Sequence, residues 1–263
     1  MVADSNFLYL AFIQSFHCPD GNCHWPVYLR FLLMNLSLLI SHPLKGSQQA
    51  MLVIDEHPLL ETAVVITEFD QPIGETPSPI ALAEKLAFPQ TVPIATEPDV
   101  KPHVRDMLRF GGYKPTGRGK PASEYLRQAV EKNKLSPINL PVDICNIVSL
   151  HSGLPISVID VDLASEPLRI RIAPEDSHYV FNQTGQTIKL DGLLCLFDNL
   201  GACANAVKDS QRTKTSPQTR RTLSIIWGTQ SLPKYCATVA QWYCDVLNEF
   251  GTTQFVCPTN KEV

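Results

Sequence analysis

No apolar run in this sequence is long enough to cross a bilayer. The best candidate, FLLMNLSLLI at Phe31–Ile40, falls short of the roughly 20 residues a spanning helix needs and carries Asn35 and Ser37. No basic region precedes an apolar stretch with a small-residue cleavage site, so a secretory leader is not expected. Also absent are the GxxxxGK[ST] phosphate loop, the GxGxxG dinucleotide fingerprint and the GxSxG nucleophile turn. These absences argue against a P-loop nucleotidase, a Rossmann oxidoreductase and an α/β-hydrolase.

Repeated cysteine spacings are missing too. The eight cysteines stand at 18, 23, 145, 195, 203, 236, 244 and 257, and five of the last six have apolar neighbours. This usage fits reduced, buried thiols rather than a disulfide scaffold, and leads to the expectation of a cytoplasmic protein. HCPDGNCH offers His17, Cys18, Cys23 and His24 as possible zinc ligands. Their spacing fits no usual pairing and no second ligand pair follows at finger distance, so neither a metal nor another cofactor is expected.

What the chain does have is proline, 21 of 263 residues, and an uneven distribution of charge. Its length suits one large domain or two small ones. Between Met51 and Val100 nine acids face Lys85 alone, whereas from Lys101 to Lys134 nine Lys or Arg face Asp106, Glu124 and Glu131. A second basic patch, Lys208–Arg221, sets five cations against Asp209. Two basic stretches on a chain of net charge −4 point either to a local anionic partner, such as a phosphate backbone, or to solvated helix faces.

The pattern of elements predicts a single compact α+β domain, with largely antiparallel sheets packed with helices, over about 51–250. Residues 1–50 are expected to be a poorly structured or non-native extension, with Met51 as an alternative start, and 251–263 a tail. TAVVITEF (Thr62–Phe69) reads as a buried strand, PSPIALAEKLAF (Pro77–Phe88) as a helix, and ASEYLRQAVEKN as another. PVDICNIVSLHSG (Pro141–Gly153) has helical spacing, with Gly153 placed to end it and His151 read as a packed side chain. Then come mainly strands: ISVIDVD, the alternating LRIRI (Leu168–Ile172), a hairpin turning near Gly185, another turning at Gly201, and TLSIIWG. An amphipathic helix over Tyr235–Phe250 closes the domain.

The strongest local signal is GYKPTGRGKPASEYLRQAV. Pro115 and Gly117 suit the corners of a type II turn, and Pro121 suits a helix start, so Lys114, Arg118 and Lys120 gather near a helix N-terminus. Such a terminus favours anions. The same residues also suit a rigid, solubilising surface turn.

Three separated stretches, YKPTGRGKPASEYLRQAV, PINLPVDICNIVSLHSGLPISVIDVD and DSQRTKTSPQTRRTLSIIWG, resemble in order the tRNA-editing domain of the bacterial phenylalanyl-tRNA synthetase β subunit, most of all its free-standing form. The resemblance runs over about Met51–Gln230. It implies an α+β domain with a cleft that hydrolyses a wrongly attached amino-acid ester, with the tRNA acceptor end as partner and no aminoacylation activity of its own. Asn146 matches a position lining the amino-acid pocket. Cys145 and Ser157 stand where the synthetases usually carry threonine and histidine, and AVKDSQRTKT replaces their glycine-rich turn.

Ester hydrolysis of this kind needs a positioned water and stabilised negative charge, not a side-chain nucleophile. Rejecting an amino acid by its phenol needs a buried acceptor. Glu124, Asp143, Asp160, Asp198 and Asp209 are candidates; Asp143 also suits a helix's first turn and Asp198 a turn cap. The expected pocket comprises Cys145, Asn146, Ser157, Asp198 and Asp209, and the expected RNA contacts are Lys114, Arg118, Lys120, Arg212 and Lys214. Alternatives are a non-catalytic tRNA- or RNA-binding module, and an aromatic amino-acid-binding protein or small-molecule hydrolase.

Overall fold

The computed structural model describes residues 52–87, 91–94 and 96–258. The chain divides into two units, Met1–Gln48 and Gln49–Val263, and every described residue belongs to the second. The extension and its His17, Cys18, Cys23 and His24 therefore lie outside the described residues.

Two four-stranded sheets build the domain. The first has the order β1 (Leu52–Ile54), β4 (Leu168–Ile172), β7 (Leu194–Asp198), β8 (Gly201–Asn205), with β1 parallel to β4 and the other pairs antiparallel. The second is antiparallel throughout, in the order β10 (Thr252–Phe255), β2 (Leu60–Glu68), β9 (Arg221–Thr229), β3 (Ile156–Asp160). A small hairpin, β5 (His178–Val180) and β6 (Thr187–Lys189), stands apart from both. β9 lies between β2 and β3 and is buried along nearly its whole length, which is why SIIW is a continuous apolar run with one serine rather than an alternating one. β4 alternates: Leu168 and Ile170 are buried, Arg169 is exposed and Arg171 is half-buried.

Among the described residues five α-helices follow in chain order: α1 (Ile80–Ala83), α2 (Val100–Arg109), α3 (Ala122–Glu131), α4 (Leu140–Ser152) and α5 (Tyr235–Leu247). α4 is buried on nearly every side, as a helix wedged between a sheet and two other helices must be. Its start is set locally. The Asn139 side chain accepts the Val142 N–H at 3.2 Å, proline follows in the first turn, and Gly153 ends the helix at φ 78. α4 and α5 pack together on the second sheet.

Two elements lie outside the expected scheme. Residues 252–255, placed in the tail, extend the second sheet as β10 beside β2. Val100–Arg109, read only as charge, is α2, which buries Val100, Val104, Met107 and Leu108 on one face. Two others are displaced. The Pro77–Phe88 helix is a single α-turn followed by a 3-10 turn at Glu84–Leu86. The reverse turn expected at Pro115 and Gly117 closes instead from Thr116 to Gly119, with Gly117 at φ 55 and the Gly119 N–H bonded to the Thr116 carbonyl at 2.8 Å.

One glycine contact places the start of the cationic loop. Gly192, at φ 70, meets Gly111 backbone to backbone: a Cβ on Gly192 would lie 2.1 Å from the Gly111 carbonyl oxygen. Gly192→Ala should therefore cost about 2 kcal/mol or more from positive φ and overlap together. The expected fall in Tm is roughly 4–8 °C, measured by calorimetry; Gly185→Ala, also at positive φ but with open space around its Cβ, should cost less.

Candidate functional site at the seam of the two sheets

The two sheets meet where β3 passes β8. The Ser157 hydroxyl on β3 donates to the Asn205 carbonyl at the end of β8 at 3.0 Å and accepts the Trp227 indole N–H at 3.0 Å. Ser157, Asn205 and Trp227 are all buried. Asn205 is the hub. Its side-chain oxygen accepts the backbone N–H groups of Val207 at 2.8 Å and Lys208 at 2.9 Å, which turns its amide nitrogen toward the Tyr179 hydroxyl. Tyr179 in turn donates to the Lys208 carbonyl. A side chain from the small hairpin thus pins the 205–208 turn.

Asp209 lies at the next position. Its carboxylate accepts the Asn205 N–H at 3.3 Å and lies beside the Ser157 hydroxyl and the Val158 N–H, which favour its charged form. Burial pushes this carboxyl up to about 6, against the opposing pull of these donors and of the Lys214 ammonium. Burial likewise lowers Lys214, with Asp209 partly restoring it. Cys145 approaches from α4, where its thiol donates to the Ile156 carbonyl at 3.3 Å; burial holds the thiol far above its ordinary range, so it is no nucleophile at neutral pH.

The fold holds Asp209 less tightly as a carboxylate than as an acid, which has a definite sign. The folded state binds the Asp209 proton more strongly than the unfolded chain, so this group's contribution to stability falls as pH rises between about 4 and 6 and stays low above. Relative to Asp209→Asn, the wild-type protein should lose up to about 3 kcal/mol between pH 4 and pH 7. Paired denaturant titrations across that range measure it; parallel profiles would show that Asp209 is not enclosed.

Cys145, Ser157 and Asp209 are thus brought together, and Lys214 joins them: its ammonium donates to the Phe181 carbonyl at 2.5 Å and faces Asp209. Asn146 is half-buried on α4, two turns beyond Asn139. Asn139 itself bonds Thr215, next to Lys214, at 3.2 Å. Asp198 and Arg212 are different. Expected in the pocket and on the RNA face respectively, they pair with each other through two contacts of 2.8 Å. Asp198 also accepts the N–H groups of Ser165, Leu200 and Gly201, and its side chain is wholly enclosed. Burial alone would raise its pKa, but Arg212 and these N–H groups outweigh it and hold the carboxyl below its usual range. It is a turn cap and structural ion pair.

The other acids proposed as acceptors are likewise engaged. Glu124 takes Arg105 in two contacts of 2.7 Å, with Lys101 at 3.7 Å; Asp143 takes Ser78 and the Ile138 N–H; Asp160 takes Thr219 at 2.6 Å. Asp209 is engaged as well, and is the acid that bonds Asn205 at the junction of β3 and β8.

The cationic loop adjoins this cluster. The Ala122 N–H at the start of α3 bonds the Ala206 carbonyl at 2.8 Å, so one of the N-terminal donors expected to attract an anion is already occupied by protein. Tyr113 and Tyr125 donate to the carbonyls of Gly119 at 3.1 Å and Gly117 at 3.2 Å and hold the loop in shape. Lys114 and Arg118 are exposed, and Lys120 bonds Gln128 while its ammonium lies 4.5 Å from the centre of the Tyr125 ring. Lys208, absent from the residues singled out in the sequence for RNA contact, reaches both Tyr125 at 5.6 Å and Phe181 at 4.2 Å. Burial and the neighbouring Arg118 both lower its pKa. A separate groove of about 650 Å³ lies between α2, α3 and Gly153; none of Cys145, Asn146, Ser157 or Asp209 lines it, so it is not the expected amino-acid pocket.

An α+β domain with one carboxylate at a sheet seam and a cationic, aromatic rim is the class defined by this geometry. Residues 113–230, a little under half of the chain, match the family model described as the B3/4 domain. Among curated proteins, the phenylalanine–tRNA ligase beta subunit of Cutibacterium acnes is 33% identical over 85 residues, which cover 32% of this chain and 10% of that protein. The corresponding subunit of Gloeobacter violaceus is 32% identical over 103 residues, 38% of this chain and 13% of that one. The chain thus spans about a tenth of the length of these relatives. The resemblance carried by the three sequence stretches is to this same beta subunit. Among solved structures, an N-terminal fragment of the phenylalanyl-tRNA synthetase beta subunit from Pyrococcus horikoshii aligns with TM-score 0.47 and 11% identity, covering 83% of this chain and 54% of that one. No helix among the described residues is long and apolar enough to cross a membrane.

Proposed function

We propose that this domain binds the acceptor end of a tRNA and hydrolyses the ester of a wrongly attached amino acid, acting on tRNA charged by another protein. The observation that carries this reading is the single turn, Asn205–Asp209, that joins the Asp209 carboxylate to the cationic, aromatic rim. A phosphate backbone held by Arg118, Lys120 and Lys208 would leave the terminal ester within a short reach of the seam. Phosphate contacts of this kind position a nucleic acid without reading its sequence.

Asp209 is the residue assigned to orient the attacking water. Aminoacyl esters are intrinsically reactive, so placing a water and withdrawing its proton is the main task, and a carboxyl that titrates near 6 is suited to it close to neutral pH. Ser157 is 1% exposed and its hydroxyl bonds within the cluster, which makes it a scaffold for Asp209 rather than a nucleophile. The test is deacylation. Purified protein is added to phenylalanine tRNA carrying tyrosine, and to a panel of other mischarged tRNAs, and ester loss is followed at neutral pH. Ester loss faster than in buffer, abolished by Asp209→Asn with tRNA affinity unchanged, is expected. A rate equal to buffer across the panel would reject hydrolysis and leave a binding module.

A further inference from the structure

We propose that Tyr125 and Phe181 form a stacking site for unpaired RNA bases, and that Lys208 occupies it until RNA arrives. This inference rests on the RNA-binding reading above and adds to it the chemical group that the rim takes. Its basis is the sharing of one ammonium by two rings. Lys208 Nζ lies 4.2 Å from the centre of Phe181 and 5.6 Å from that of Tyr125, while Lys120 Nζ lies 4.5 Å from Tyr125. Tyr125 comes from α3 and Phe181 from the turn after β5, so two elements distant in sequence bring their rings to one cation.

Both rings are half-buried and held from behind. Tyr125 is tied to the loop through the Gly117 carbonyl at 3.2 Å. The Phe181 backbone is fixed by its N–H to the Gln186 carbonyl at 3.0 Å and by the Lys214 ammonium on its own carbonyl. Rigid aromatic faces interleaved with cations are what a single strand requires: bases stack on the rings while ammonium groups follow the phosphates. Magnitudes favour the exchange. A cation over a ring at the surface is worth about two- to fivefold in an equilibrium, whereas a stacked base is worth about fivefold to a hundredfold. A base can therefore displace the ammonium. The freed Lys208 is then beside the backbone of the strand that displaced it, and gains a phosphate in place of a ring.

The experiment uses the full chain and two deacylated acceptor-stem minihelices. One ends in an unpaired four-nucleotide 3′ strand, and the other is abasic at those four positions with its phosphates intact. Wild-type protein should bind the first more tightly, by fivefold to a hundredfold. Tyr125→Leu and Phe181→Leu should each reduce that ratio severalfold, and the double variant should bring it close to one. Tyr125→Phe, which keeps the ring and loses only the Gly117 contact, should retain it. Thermal melts establish that each variant is folded. If Tyr125→Leu fails to fold, Phe181→Leu and Lys208→Met carry the comparison. Lys208→Met uncovers the rings and should weaken binding of the abasic minihelix more than of the intact one. Equal wild-type affinity for both minihelices would overturn the stacking site and leave RNA binding intact. Absence of binding to either would overturn RNA binding itself.

Discussion

Asn205→Ala should lower the stability of the domain by about 3–4 kcal/mol, with a fall in Tm of roughly 6–16 °C. The reason lies in what the side chain satisfies. Its oxygen accepts two backbone N–H groups, those of Val207 and Lys208, and its nitrogen donates to the buried Tyr179 hydroxyl. Alanine keeps the backbone and leaves the two N–H groups and the phenol without this partner, at about 1–3 kcal/mol for each orphan that water cannot reach. Asn205→Asp restores the acceptor for both N–H groups, and should recover part of the loss at low pH, where the new carboxyl is neutral. Above that range a second carboxylate would face Asp209 and stability should fall again. A loss below about 1 kcal/mol in Asn205→Ala would show that the turn is held by other contacts.

The second large effect concerns the rim. Reversing Arg118 and Lys120 together to glutamate should weaken tRNA binding by roughly tenfold to a hundredfold at low salt. It should also make the plot of log K against log salt shallower by between about one and two. Stability should change little, because Arg118 is exposed and Lys120 contributes one hydrogen bond and one ring contact at the surface. The measurement also separates the readings of function. A protein that takes free aromatic amino acids would keep its thermal stabilisation by them after the reversal. A tRNA-binding domain would lose affinity and salt dependence together.

The residues show unevenly how much of this was legible beforehand. LRIRI and the hairpins at Gly185 and Gly201 could be read directly, since strand alternation and turn chemistry are local properties, and the structure has strands and turns at those places. Gly153 ends α4 because only a residue tolerant of positive φ suits that cap. α2 has a readable period, since Val100, Val104, Met107 and Leu108 are spaced on one helical face, although charges and Pro102 stand between them. β10 has none, because TTQF has no pattern of its own and exists by pairing with β2. The site follows the same division. The cationic loop advertised itself through composition. Asn205 did not, since in ACANAV it reads as an ordinary strand-end residue, and its importance comes from its side-chain bonds to the Val207 and Lys208 N–H groups and to Tyr179, 26 positions away. Asp198 and Arg212 were assigned separate tasks for the same reason: their pairing is a fact of packing between residues 14 apart that no spacing rule reveals.

The seam also determines which side of the proposed site can move. Ser157 belongs to one sheet and Asn205 to the other, so the Ser157–Asn205 bond ties the two sheets together at that edge. Amide hydrogens beside it should therefore exchange with solvent on the slow timescale of cooperative unfolding, while those of the 116–120 loop exchange quickly. Substrate would meet a rigid wall on one side and a yielding one on the other, and any adjustment on arrival would be made by the loop.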